Sequence, residues 1–106
     1  MEQNDTVLLR GSTPELRFRF DRVAVSDLAE AILTLRQDDL TLEKDLTDAE
    51  TDGQTLIWRL TQQETLRLAP DRFAELQCRF RLSDGTAGGS RIFTVLGGRI
   101  LKDGVI

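Results

Sequence analysis

Histidine and tyrosine are both missing from this chain of 106 residues, which also holds a single cysteine, a single tryptophan and two prolines. Each scarcity removes a class of chemistry. Without histidine the commonest general base and the commonest imidazole metal ligand are gone together, so Ser-His-Asp and Cys-His catalytic arrangements are excluded. Cys78, being alone, cannot form an internal disulfide, and one cysteine without histidine does not make the usual zinc sites. Such cysteine usage fits a reducing cytoplasm. No Gly-x-Gly-x-x-Gly turn and no phosphate loop is present, which removes the usual nucleotide cradles. Long apolar runs are missing as well: none approaches the roughly 20 residues that cross a bilayer as a helix. The start, Met1-Glu2-Gln3-Asn4-Asp5-Thr6, lacks the basic opening and apolar centre of a signal peptide. The expectation is a noncatalytic chain without cofactor, metal or membrane.

What is present is charge and alternation. Eighteen acidic residues against 14 basic ones give a formal net charge of −4, which favours solubility and disfavours nonspecific attraction to nucleic acid or anionic lipid. Lys44 and Lys102 are the only lysines; the remaining cations are arginines, the better residue for bidentate carboxylate pairing and for interfaces. Apolar content of 40% with 30% charged residues is that of a folded domain and not of a disordered one. A chain of this length buries roughly 65% of the surface its unfolded form exposes. That is enough for one domain, residues 1–106, with residues 1–6 frayed.

Three stretches alternate strictly: Leu16-Arg17-Phe18-Arg19-Phe20, Leu40-Thr41-Leu42-Glu43 and Leu76-Gln77-Cys78-Arg79-Phe80-Arg81-Leu82. Successive strand side chains point to opposite faces, so each stretch buries one row and wets the other, the mark of an antiparallel sheet with a solvated face. Further strands are expected at Val7–Arg10, Ala31–Arg36, Thr55–Leu60 and Ser90–Leu96, the last broken at Gly97-Gly98. Gln37-Asp38-Asp39 reads as a tight hairpin turn. Residues 21–30 read as a loop with a short turn at Ser26-Asp27-Leu28-Ala29, and Gly88-Gly89 as a bulge or mobile hairpin tip. Thr61-Gln62-Gln63-Glu64 matches a capping box and predicts one or two helical turns, closed by Pro70. Turn signals every 8 to 12 residues or so are those of a sandwich or barrel. The expected fold is all-β: an Ig-like antiparallel β-sandwich of seven or eight short strands with one short helical turn.

The candidate functional residues are few. Arg17 and Arg19 on one strand and Arg79 and Arg81 on another would place four guanidinium groups on one surface if the strands share a sheet. That row is either a solvent face with cross-strand pairs to residues such as Glu43 or Glu75, or a partner interface. Nucleic acid is disfavoured, since no exposed aromatic interleaves the arginines. Ile57 breaks the Leu56, Trp58, Leu60 row, and Val105-Ile106 closes the sequence on two apolar residues; these complete the core or touch another subunit. Either Phe93 with Val95 or Ile92 with Leu96 must face outward or into a second layer. The acidic run Asp45, Asp48, Glu50, Asp52 is a solvated loop or a calcium site, and Glu43 with Asp45 has the makings of a glycosidase pair. A carbohydrate platform would need Trp58 or several phenylalanines exposed.

The order of segments resembles a known family. Leu9-Arg10-Gly11-Ser12-Thr13-Pro14-Glu15-Leu16-Arg17-Phe18 is similar to the start of small prophage-encoded proteins found among tail and baseplate genes. The resemblance runs on through Leu33–Gln37, Leu42–Leu46, Trp58–Thr65 and Leu76–Thr86, and ends with Ile100-Leu101-Lys102-Asp103-Gly104-Val105-Ile106. It is similar also to the N-terminal domain of upper-baseplate proteins of phages of Gram-positive bacteria. The resemblance implies a noncatalytic structural component of a phage tail or baseplate that docks on itself or on a neighbouring tail protein. Homo-oligomerisation is its testable consequence, in the cytoplasm during assembly and then in the virion. A small ligand-binding module, for carbohydrate or calcium, is the alternative.

Overall fold

Alternation sets which row of each strand turns inward, and the inward rows decide how the strands stack. A computed structural model describes residues 6–106. The expected fraying of residues 1–6 falls outside the described residues except at Thr6, which opens a strand. In chain order come β1 (Thr6–Leu9), β2 (Glu15–Arg19), β3 (Leu28–Gln37), β4 (Leu40–Asp45), β5 (Glu50–Asp52), β6 (Thr55–Arg59), α1 (Gln62–Leu66), β7 (Phe73–Leu82), β8 (Ala87–Gly89) and β9 (Phe93–Gly98). Single 3-10 turns occupy Val25–Asp27 and Leu46–Asp48. No helix among the described residues is long and apolar enough to cross a membrane.

The strands form two sheets. The larger runs β1-β9-β7-β3-β4, with β8 pairing the far half of β7, and the smaller runs β2-β6-β5. Their inward rows meet in one hydrophobic cluster: Leu16, Leu56, Trp58 and Leu60 from the smaller sheet's side, Leu33, Leu35, Leu76, Cys78 and Val95 from the larger. Aromatic edges pack within the smaller sheet, at Phe18–Trp58, and across to the larger, at Phe18–Phe93 and Phe20–Phe80. Phe18 meets Trp58 at 5.8 Å and Phe93 at 6.0 Å, and Phe20 meets Phe80 at 5.2 Å, distances at which edge-to-face pairs add to plain burial. Trp58 is fully buried and its Nε1–H donates to the Asp45 carbonyl at 2.9 Å.

The capping box forms as its spacing predicts. Thr61 Oγ1 accepts from the Glu64 amide at 3.1 Å, and a Glu64 carboxylate oxygen accepts from the Thr61 amide at 2.8 Å. The helix is one turn and a residue or so long, ending at Leu66 before Pro70.

Several expectations need correction. Nine strands stand among the described residues, not seven or eight. The extra ones are β5, whose side chains are all exposed and so carry no apolar signal, and β8. At β8, Gly88 lies against the Phe80 ring, where a Cβ would come within 2.7 Å of Cζ; the glycine lets a strand pass, and the segment is not simply a hairpin tip. The sheets are not wholly antiparallel, because β1 and β9 run parallel. The last strand starts at Phe93 and continues through Gly97-Gly98 instead of breaking there. A Cβ on Gly97 would collide with the Ala69 carbonyl, and one on Gly98 would sit 2.8 Å from Val7 Cγ1. These glycines permit close approach of neighbouring backbone. In the loop after β2, the turn ends at Asp27 and β3 already begins at Leu28, which is buried and pairs with Leu82 ahead of a bulge.

Candidate interaction surface

The four arginines do not form one surface. Arg17 and Arg19 lie on β2 in the smaller sheet, whereas Arg79 and Arg81 lie on β7 in the larger. The sheets meet by their inner faces, so the two pairs point away from each other. The condition of a shared sheet is not met, and the sequence could not decide it, because alternation reveals which side of a strand is wet but not which strands are neighbours.

On the outer face of the smaller sheet, Arg17 has another role. Ile57 pairs with Arg17 on one side and Glu50 on the other, and it is 6% exposed although it lies outside the main core cluster. Around it runs a chain of charges. Glu15 bonds Arg17 at 3.0 Å and also pairs with Arg59, and Arg59 reaches Glu50 at 3.3 Å. The hydrogen bond from Arg17 holds the Glu15 carboxyl below its ordinary range against some desolvation, with Arg59 adding to the effect. The bonds Arg59 donates to Glu50, and then the charge of Glu15, push Arg59 further up. Ile57 is thus buried within its own subunit, the first of the two alternatives its sequence position left open. Arg19 pairs with Asp21 at 3.3 Å and stays exposed.

The acidic run is occupied locally. Asp45 caps the 3-10 turn by accepting from the Thr47 amide at 2.9 Å, and Asp48 accepts from the Asp45 amide at 3.0 Å. The Thr47 hydroxyl, ahead of the backbone amides, holds the Asp45 carboxyl below its usual value. Glu50 is taken by Arg59. Among the described residues, no three histidine, cysteine or acidic side chains gather as metal ligands. A sugar platform at Trp58 is ruled out by its burial. Cys78 is buried on the inward row of β7, and desolvation pushes its thiol up to about 11, far from the low values of reactive cysteines.

Sequence reasoning missed two buried polar side chains that fix the loops around β1 and β9. Gln37 accepts from the Ala69 amide at 2.6 Å and donates to the carbonyls of Ala69 and Arg72 at 3.1 and 3.0 Å. Thr65 donates to the Ser12 carbonyl at 2.9 Å. Neither has a periodic signal, since each serves a partner distant in sequence. Arg10 likewise donates to the carbonyls of Leu66 and Leu68 at 2.9 and 2.8 Å.

Val105 and Ile106 are exposed, and the segment is tied back through its backbone. The Gln62 amide group accepts from Ile106 N–H at 2.9 Å and donates to its carbonyl at 3.2 Å.

The surface that stands out was not foreseen as a unit. On the outer face of the larger sheet, Val7, Leu96 and Phe73 lie side by side across β1, β9 and β7. Val7 is 54% exposed and Phe73 60%, and Leu9, two residues along β1, is 47% exposed. Phe93 and Val95 turn inward, so Leu96 faces outward with Ile92, which resolves the alternatives left by the sequence. Ion pairs flank this apolar strip. Arg72 meets Asp38 at 2.7 Å, Arg99 meets Asp71 at 3.7 Å and Arg36 meets Glu75 at 4.0 Å. A separate cleft of about 370 Å³ opens between β2 and β8, lined by Phe18, Arg19, Phe20, Arg22, Val23 and Phe80 among others.

No protein-family model, no curated protein and no solved structure matches the chain.

Proposed function

We propose that this chain is a noncatalytic assembly component of a phage tail or baseplate, encoded by a prophage, that works through protein–protein contacts made by an Ig-like β-sandwich. The strand order supports the sandwich: β2, β5 and β6 lie in one layer, β3, β4, β7 and β9 in the other, with the first strand added beside the last. That is the division of strands between layers in Ig-type domains. The phage context comes from the resemblance of the segments from Leu9 to Ile106.

One observation carries the contact reading: the strip of Val7, Leu9, Leu96 and Phe73, apolar at its centre and flanked by ion pairs. Such a patch adds nothing to this subunit's own core, and a dry centre with a charged rim is how protein interfaces are built. Asp45 and Asp48 are engaged in capping a turn, Glu50 in pairing with Arg59, and the Cys78 thiol is buried, which supports the noncatalytic reading.

Disruption of the coding sequence in an inducible lysogen tests the proposal. The expected result is particles with absent or misassembled tails on electron microscopy, restored by supplying the intact chain. Morphologically normal, infectious particles from the disrupted lysogen would overturn it.

A further inference from the structure

Among the described residues five strands have a free edge: β1 and β4 in the larger sheet, β8 beyond the far half of β7, and β2 and β5 in the smaller. β8 is three residues of alanine and glycine, with little side chain to pack against a neighbour, and three of the other four are guarded. β4 carries Glu43, Lys44 and Asp45, β2 carries Glu15, Arg17 and Arg19, and the three-residue β5 carries Glu50 and Asp52. Charges on an edge strand oppose pairing with another chain. β1, Thr6-Val7-Leu8-Leu9, has no charge and no proline. It ends the larger sheet.

The hydrogen bonding of β1 fixes which groups it offers. Arg10 N–H donates to the Gly98 carbonyl at 3.2 Å, and peptide groups of alternate strand residues face opposite sides. Leu8 therefore also faces β9, and Val7 and Leu9 direct their N–H groups away from it. The Leu9 carbonyl is already taken, by the Ser12 amide at 3.2 Å and the Ser12 hydroxyl at 2.6 Å. Val7 is left with both N–H and C=O directed outward.

Resting on the reading of the chain as an assembly component, we propose that two copies join edge to edge through β1 about a two-fold axis, antiparallel, with Val7 opposite Val7 of the second copy. A two-fold antiparallel pair must place one residue opposite itself, and a pair that exchanges both hydrogen bonds needs N–H and C=O on the same side. Val7 meets that requirement. The two larger sheets become continuous. On the outer face Val7 lies beside Val7 of the other copy, and Leu9 of each copy lies diagonal to the other's Val7. The chemistry of the edge favours a second copy as occupant. On a chain whose net charge is −4, β1 carries no charge, so two copies of this edge meet without like-charge repulsion.

Light scattering coupled to size exclusion, over a wide range of concentration, tests this on the whole chain and two variants. The intact chain should show twice its 12.0 kDa mass. Val7→Pro removes the exchanged donor while sparing the bonds to β9, since proline is tolerated at an edge whose N–H faces outward. Val7→Glu, at a side chain 54% exposed on the outer face, sets two carboxylates directly opposite each other across the axis without touching the core. Both variants should run as monomers and keep the circular dichroism and melting midpoint of a folded chain. A monomeric intact chain at every concentration would overturn the inference, as would a dimer that survives both substitutions. Either result leaves the lysogen experiment to decide the assembly role separately, through a partner other than a second copy.

Discussion

Gln37 shows how much of this fold hangs on single polar side chains. It sits at the end of β3, 3% exposed, and satisfies three backbone groups of the segment between α1 and β7. An unsatisfied buried polar group costs about 1–3 kcal/mol, so the loop at Ala69–Arg72 has no cheap alternative position. Cys78 makes a residue-scale prediction about pH. Burial raises its thiol in the folded chain from an ordinary 9.0 to about 11. Between those values the unfolded chain has lost the proton and the folded chain still holds it. Folding stability is therefore intact below about 9 and falls as pH rises toward about 11. Denaturant titrations at pH 8 and pH 10.5 should show a lower midpoint at the higher pH, and Cys78→Ala should flatten the difference. At pH 8 a disulfide reagent should label the thiol only when the chain is unfolded. Rapid labelling of the folded protein would contradict the burial on which the argument rests.

Elements were legible in the sequence wherever one property repeated. The alternation of Leu16–Phe20 and Leu76–Leu82 placed β2 and β7, the four residues Thr61–Glu64 placed α1, and Gln37–Asp39 placed the β3–β4 hairpin, in which Asp38 takes the positive φ of 52°. What stayed hidden was pairing. Nothing local in Thr6–Leu9 points to β9, and nothing in Arg17 or Arg79 tells that they belong to different layers. The apolar strip stayed hidden for the same reason: Val7, Leu96 and Phe73 become neighbours only through strand order. The pair Gly97-Gly98 was read as a break, since glycine signals both a turn and a close approach, and only the neighbour decides which. That neighbour gives an element-scale prediction. Gly97→Ala would drive a methyl group into the Ala69 carbonyl, and forced overpacking of this kind costs typically about 1–3 kcal/mol. Chemical denaturation should show a loss in that range. By contrast, Gly53→Ala meets no atom within 4 Å and loses only what its φ of 62° demands. Equal effects of the two substitutions would show that the approach of Ala69 to β9 is not what holds this glycine.

At the scale of the whole molecule, the dominant fact is that the chain pairs its ends. β1 bonds to β9, β2 to β6 and β3 to β7, so the sheets rest on contacts between residues distant in sequence. Topologies of this type fold in milliseconds to seconds rather than microseconds, because loops must close before the contacts form. Stopped-flow refolding followed by Trp58 fluorescence should fall in that slower range, and a microsecond phase carrying the full amplitude would be inconsistent with it. The pairing of ends also has a consequence during synthesis. Among the described strands a ribosome makes β1 before the others and its partner β9 after them, with about 80 residues between. At the usual 5–20 residues per second, β1 waits roughly 4–16 s for β9 to emerge. During that wait Val7, Leu8 and Leu9 have no place in their own subunit. Polysomes present many such unpaired strands close together, so the interval favours capture by a trigger-type holding chaperone or meeting with a neighbouring nascent copy. The edge left free in the finished subunit is the same strand that stays unclaimed longest while the subunit is being made.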